Sequence, residues 1–166
     1  MQKALRDRKQ KTENGKRSVE LLVIGIASPL LVGVYEKGLL IESFESEEKT
    51  SKALPKILYE VSKNYNLTEL YYAKGPGSFM AIKVTYVMLK TFSIVLQIPL
   101  LACDAFFFNG NKPIKAVGKS CFIKKDGKIV IEKSCSFSDM AFKLPESLDR
   151  AFFGINNEPL YILPAV

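Results

Sequence analysis

The sequence predicts an α/β protein, with a mixed sheet and helices in the first two thirds of the chain and a shortened second α/β lobe after it. Three observations predict it. Short apolar runs bounded by turn residues alternate with two segments of helical period. One of those runs, Leu70-Tyr71-Tyr72-Ala73, leads through Lys74-Gly75-Pro76-Gly77-Ser78-Phe79 directly into a long apolar helix. A cluster of breakers, Asn109-Gly110-Asn111-Lys112-Pro113, then precedes a hairpin pattern around Lys125-Asp126-Gly127. The expected organisation is a basic flexible arm at 1–18, a first lobe at 19–108 and a truncated second lobe at 109–166.

In chain order, Glu20 to Ala27 is a buried strand, an apolar run closed by Ser28-Pro29. Leu30 to Glu36 and Leu39 to Phe44 are strands joined at Lys37-Gly38, a hairpin turn. Thr50 or Ser51 can cap a helix reaching Asn64, with Leu54, Ile57, Leu58, Val61 and Tyr65 at helical spacing and Pro55 in its first turn. Asn64 to Thr68 is the exit loop and Leu70 to Ala73 the fourth strand. Ser78 fits the N-cap of the long helix, its hydroxyl free to accept a first-turn N–H. Ile98 to Leu101 is a fifth strand, and Asp104 caps a brief helix to Phe108. Ile114 to Lys124 and Lys128 to Lys133 are hairpin strands, Pro145 to Phe153 a short helix, and Leu160 to Leu163 a last strand.

The chain has 166 residues, 48% of them hydrophobic, enough for a substantial core. Residues 1–18 carry seven Lys/Arg against two Asp/Glu, so they hold +5 of the net +7. Such an arm either touches RNA or another acidic surface or is a solvated tail. No apolar leader opens the sequence, and three cysteines, Cys103, Cys121 and Cys135, lack metal-like spacing, which fits a reducing compartment. Histidine is absent. That removes Ser-His and Cys-His catalysis and the commonest metal ligand together.

On a helical wheel at about 100° per residue, Lys83, Tyr86, Lys90, Ser93 and Gln97 share a stripe roughly 80° wide, and nearly all else from Met80 to Gln97 is apolar. Such a helix is covered on two sides, by its own core or by a partner protein. A membrane span over Val84–Ala102 is disfavoured by Lys90 near its centre.

For chemistry, Gly75-Pro76-Gly77-Ser78 is either a phosphate cradle or a tight strand-to-helix turn. It lacks the Gly-Lys-Ser/Thr of a P-loop, and Met80 stands at the third glycine of a dinucleotide fingerprint. Gly25 occupies the end of the first strand, where an actin-like ATPase needs a carboxylate for its metal. Ser78 has no histidine base, and Cys103 reads as a core thiol. No catalytic residue, metal site or cofactor is expected.

The strand, Gly75-Pro76-Gly77-Ser78-Phe79, Ile82-Lys83 and the closing Ile98-Pro99 together resemble the TsaB (YeaZ) family, whose pattern there is G-P-G-S-F-T-G-[LI]-R, then a helix and "IP". Gly25-Ile26-Ala27-Ser28 is similar to its I-D-T-S, and Thr50-Ser51 with Leu54-Pro55 to its helix start. The chain departs from the pattern with Met80 for Thr, Ala81 for Gly, Lys83 for Arg, Val84 for Gly and Gly25 for Asp. The resemblance covers about residues 20–108. It implies an actin-like (ASKHA, ribonuclease H-like) first lobe and a cytoplasmic, non-catalytic subunit of tRNA threonylcarbamoyladenosine synthesis. The implied partners are a TsaD-type catalytic subunit and a TsaE-type ATPase, with homodimers possible through the same surface, tRNA reached indirectly or through the arm, and no membrane. The implied contacts lie on the two first-lobe helices, at Leu54, Leu58, Phe79, Ile82, Lys83, Tyr86, Leu89 and Lys90. The other readings are a degenerate actin-like hydrolase or glycoprotease, and an RNA-binding module built on the arm.

Overall fold

The computed structural model describes residues 15–135 and 141–162. Most of the basic arm, residues 1–14, lies outside the described residues. Its last residues are tied down: Arg17 pairs with Glu36 at 3.2 Å, and Lys16 donates to the Ser62 carbonyl.

Strands β1 (Ser18–Ile24), β2 (Leu30–Glu36) and β3 (Leu39–Ser46) form an antiparallel meander. Its second turn is the Lys37-Gly38 pair, with φ 50° and 78°, the left-handed values a two-residue hairpin requires. Helix α1 (Thr50–Asn64) crosses back to β4 (Asn66–Ala73), which lies parallel to β1. Helix α2 (Phe79–Leu96) crosses to β5 (Leu100–Cys103), parallel to β4. The sheet order is β3-β2-β1-β4-β5. This mixed sheet with two helical crossovers is the actin-like lobe the resemblance implies.

Local details differ from expectation. Strand β4 begins at Asn66, inside the expected exit loop, because Ser18 and Val19 pair with Asn66 and Leu67, and Thr68 donates to the Val19 carbonyl. Pro55 falls in the second turn of α1. Neither helix has a side-chain cap: Lys49 and Ser78 take the N-cap positions with no cap bond from their side chains. Asp104 does cap its short 3-10 turn, Ala105–Phe108, accepting from Phe106 N at 3.0 Å. It also holds Lys124 at 2.7 Å.

The two faces of the main sheet are covered differently. Val19, Leu21, Val23, Val32, Leu70 and Tyr72 pack under α1 and α2, against Leu54, Leu58, Val61 and Leu89. The opposite face buries Leu22, Ile24, Tyr35, Tyr71 and Leu101 with Phe106, Phe108, Phe122 and Phe153. The part expected to be a second lobe therefore packs onto the first-lobe sheet, and its core is continuous with it across residue 109. It comprises a small antiparallel sheet, β6 (Ile114–Lys115), β7 (Cys121–Lys125) and β8 (Lys128–Glu132), and a trailing strap. The strap is extended. The expected helix at 145–153 is one 3-10 turn, Arg150–Phe152, and residues 160–162 are not a strand; Leu163 lies outside the described residues. Backbone bonds explain the extended form: Leu40 N to Glu146 O, Leu148 N to Gly38 O, paired bonds between Gly154 and Ala102, and Leu160 N to Lys74 O stitch the strap to successive sheet elements. Tyr35 and Tyr72 hydroxyls donate to the Pro145 and Asn157 carbonyls. A helix would have consumed those backbone groups internally.

Cys121 and Cys135, expected as unpaired thiols, are joined by a disulfide, and Cys103 is free. The segment 84–102 is not one helix: α2 ends where Gln97 adopts φ 54°, and Leu100 to Ala102 pair with β4 in the main sheet. By length and composition α2 itself is apolar enough to cross a membrane, but it packs along the sheet through Ile82, Thr85 and Leu89.

Candidate functional site

The turn between β4 and α2 is fixed from three directions. Gly75 has φ 120° and a cis bond to Pro76, and its carbonyl accepts from Ala105 N at 2.8 Å. Gly77 lies so close to the chain just after β1 that an added Cβ would come within 2.7 Å of Ile26. Ser78 N donates to Ile26 O, and Ser78 O receives Ile82 N. The Ser78 N–H and the Ser78 and Gly75 carbonyls are thus engaged by Ile26 just after β1, the helix itself and the 105–108 turn. The Ser78 hydroxyl is exposed at the rim of a cleft, and Lys74 donates to the Asn156 carbonyl. These contacts make it a structural turn, and Pro76 within it offers no N–H to an anion.

The metal-anchor slot fails on space as well as on charge. An added Cβ on Gly25 would lie 2.5 Å from Thr85 Oγ1, so α2 fills the volume a carboxylate side chain would need. Thr85 is held there by its own bond to the Ala81 carbonyl, 2.8 Å. Burial pushes the Cys103 thiol up to about 12, so it is no nucleophile at neutral pH.

Two clefts flank the turn. One, about 660 Å³, lies between the turn and the small sheet; it is lined by Ile26, Phe79, Phe122, Ile131 and Ile162, with Lys115 its one charged wall among the described residues. The other, about 560 Å³, sits at the starts of both helices, among Ser28, Glu47, Glu48, Thr50 and Met80. The second cleft also holds Lys49 and the hydroxyls of Ser51 and Ser78, and Ser28 donates to Glu47 at 2.8 Å on its exposed rim.

The outer face of α2 is the distinctive surface. Of its eighteen residues only Ile82, Thr85 and Leu89 are buried. Met80, Val87, Ile94 and Val95 are 66%, 54%, 67% and 73% exposed. Met80, Val84, Val87, Thr91 and Ile94 follow one another at steps of four, three, four and three, the spacing of a coiled-coil seam; all but the half-buried Val84 are exposed. Lys83 stands exposed beside it.

The expected contact residues divide. Phe79 and Lys83 are exposed, Phe79 stacking on Tyr161 at 4.2 Å. Tyr86 and Lys90 are half-buried, Tyr86 stacking on Tyr72 at 6.1 Å. Leu54, Leu58, Ile82 and Leu89 are inside the core, at 0%, 1%, 1% and 0% exposure, and offer nothing to a partner. They hold α1 and α2 on the sheet. The polar stripe of the wheel does not mark the outward face, since Ser93 turns to the Ile98 carbonyl at 2.5 Å. Sequence reasoning missed Met80, Val87, Ile94 and Val95. The available signal was the Ala81-Thr85-Leu89 row at i, i+4, i+8, whose small residues allow close packing on the sheet and so fix the opposite side as outward.

No family model matches the sequence, and no curated protein matches it. Among solved structures, the fold is similar to YeaZ from Pseudomonas aeruginosa, with a TM-score of 0.51 at 16% identity, over 70% of this chain and 65% of that one. A second, an uncharacterized protein with similarity to peptidase YEAZ from Pseudomonas aeruginosa, aligns with a TM-score of 0.49 at 16% identity, over 70% of this chain and 64% of that one. The chain spans just under two thirds of the length of each. The likeness shows the fold, an actin-like α/β sheet.

Proposed function

We propose that this chain is a TsaB-like, non-catalytic scaffold that binds and supports a TsaD-type catalytic subunit in tRNA threonylcarbamoyladenosine formation, with a TsaE-type ATPase as the third component. The observation that carries the proposal is the solvent-facing seam Met80-Val84-Val87-Thr91-Ile94 on α2. A seam of this spacing buries itself against a second helix, and leaving it in water is unfavourable by roughly 25 cal/mol for each Å² of apolar surface. The fold likeness to YeaZ supports the assignment, as does the blocked Gly25 slot, which argues for a partner supplying the metal and nucleotide chemistry.

The test is reconstitution. The TsaD-type and TsaE-type proteins of the same organism are assayed for modified tRNA with and without this chain. The expected outcome is modification only when the chain is present, and no ATP turnover by the chain alone. Equal modification without it, or turnover by the isolated chain that is lost in Ser78→Ala, would refute the scaffold reading.

A further inference from the structure

The three-dimensional arrangement at the open end of the β7–β8 hairpin supplies a cluster that linear spacing does not. Cys121 starts β7 and pairs across the ladder with Glu132, the last residue of β8. Two residues later Ser134 takes φ 62°, which reverses the chain, and Cys135 N bonds to the Lys119 carbonyl at 3.1 Å. The reversal carries Cys135 back over Cys121. The two sulfurs and a carboxylate oxygen of Glu132 all lie within 4.8 Å of one another. Cys121 is fully buried, Cys135 half-buried and Glu132 exposed, so the cluster has a protein floor and one side open to solvent.

We propose that Cys121, Cys135 and Glu132 form a thiol-controlled site for a soft divalent cation of the zinc type, open when the cysteines are reduced and closed when they are joined as a disulfide. Two thiolates and one carboxylate suit zinc rather than magnesium or calcium, which prefer all-oxygen shells. Zinc bonds to sulfur and oxygen run about 2.1–2.3 Å, which places ligand atoms somewhat under 4 Å apart; once reduction frees the sulfurs from each other, side-chain rotation can part them and bring the Glu132 carboxylate in around an ion. Water from the open side completes a four-coordinate shell.

Closure is a two-electron exchange. The two thiolates form one S–S bond, a low-molecular-weight disulfide accepts the electron pair as its own S–S bond breaks and takes two protons from water to become two thiols, and the cation leaves as its aqua ion. In either state the 133–135 segment is fastened to Cys121 of β7, whose chain neighbours Ser120 and Phe122 line the 660 Å³ cleft. In the reduced, metal-free state the side-chain part of that fastening is lost and the backbone bond from Cys135 N to the Lys119 carbonyl is left.

Cobalt(II) reads the site directly. The full chain, reduced with a phosphine and kept free of oxygen, is titrated with cobalt and followed by absorption. The expected result is one equivalent bound, with thiolate-to-cobalt bands and tetrahedral visible bands that added zinc bleaches. Cys121→Ser and Cys135→Ser should each abolish the bands, and Cys103→Ser should leave them. Glu132→Gln should weaken binding by about tenfold or more, the scale of losing a supporting metal contact. The disulfide form should bind none. Absence of thiolate-to-cobalt bands in the reduced chain would overturn the proposal, as would bands that survive Cys135→Ser, a surface-side change that does not threaten folding.

Discussion

The two faces of one sheet are closed by opposite means. On one face, aliphatic residues of β1, β2 and β4 lie under two helices. On the other, an aromatic cluster lies under a small sheet and an extended strap stitched on by backbone hydrogen bonds. A helix satisfies its own backbone, so it needs no neighbour beyond the stripe it buries and can leave an apolar seam outward. An extended strap has to find backbone partners on the sheet, as Glu146, Leu148, Gly154 and Leu160 do here. The difference teaches how each cover is held: the helical cover keeps a periodic apolar seam outward along one element, while the strap leaves Phe152 and Ile155 exposed but ties its backbone to the sheet.

The largest effect should come from removing an aromatic residue of the strap. Phe153 is buried against Tyr71, with ring centroids 4.7 Å apart, and contacts Phe107 and Phe108. Phe153→Ala should cost about 3–5 kcal/mol in urea unfolding. A loss under about 1 kcal/mol would mean that the strap is a loosely held tail and the comparison fails. Next, Gly25→Ala should cost about 1–3 kcal/mol by overpacking against Thr85, and Thr85→Ala in the same chain should restore part of it. Full stability in Gly25→Ala would show the slot to be open.

A smaller effect concerns the strap's ion pair. Arg150 reaches Glu69 at 2.6 Å with its own side chain mostly exposed. Arg150→Ala should therefore cost under about 1 kcal/mol, with the difference shrinking in high salt. The smallest effect is a change of pH slope. Burial first, then the charges of Glu69 and Glu36, hold the Glu20 carboxyl above the usual range, against backbone bonds that lower it. A raised carboxylate favours the folded state fully below its unfolded value and loses that advantage as pH climbs through the folded one. Glu20→Gln should flatten the fall of stability across that interval, changing it by about 0.5 kcal/mol or less at pH 7. A steeper fall in the variant would reverse the sign assigned to this group.

The main sheet was legible in the sequence because its strands are short apolar runs with recognisable turns, as at Lys37-Gly38 and Gly75-Pro76-Gly77-Ser78. The strap was not, because nothing in its own residues says that its backbone bonds go to Gly38, Lys74 and Ala102. The disulfide escaped for a similar reason: the reversal at Ser134 that seats Cys135 leaves no spacing signal. In the candidate site, the helix was legible as too apolar for a single buried side, but its orientation was not. Leu54, Leu58, Ile82 and Leu89 read as contact residues because apolar character alone does not distinguish the sheet-facing row from the outward one. The difference lay in the small residues Ala81 and Thr85, which let α2 settle against the sheet and turn Val87 and Ile94 outward.

The account rests most heavily on that outward seam, and one measurement tests it directly. Wild-type chain and Val87→Glu are each mixed with the TsaD-type subunit and run by size-exclusion chromatography, with thermal unfolding of each free chain as a control. The account predicts a shared peak for the wild type and none for Val87→Glu, with the variant's stability within about 0.5 kcal/mol of wild type because Val87 is exposed. An unchanged shared peak with Val87→Glu, or none with the wild-type chain, would contradict it.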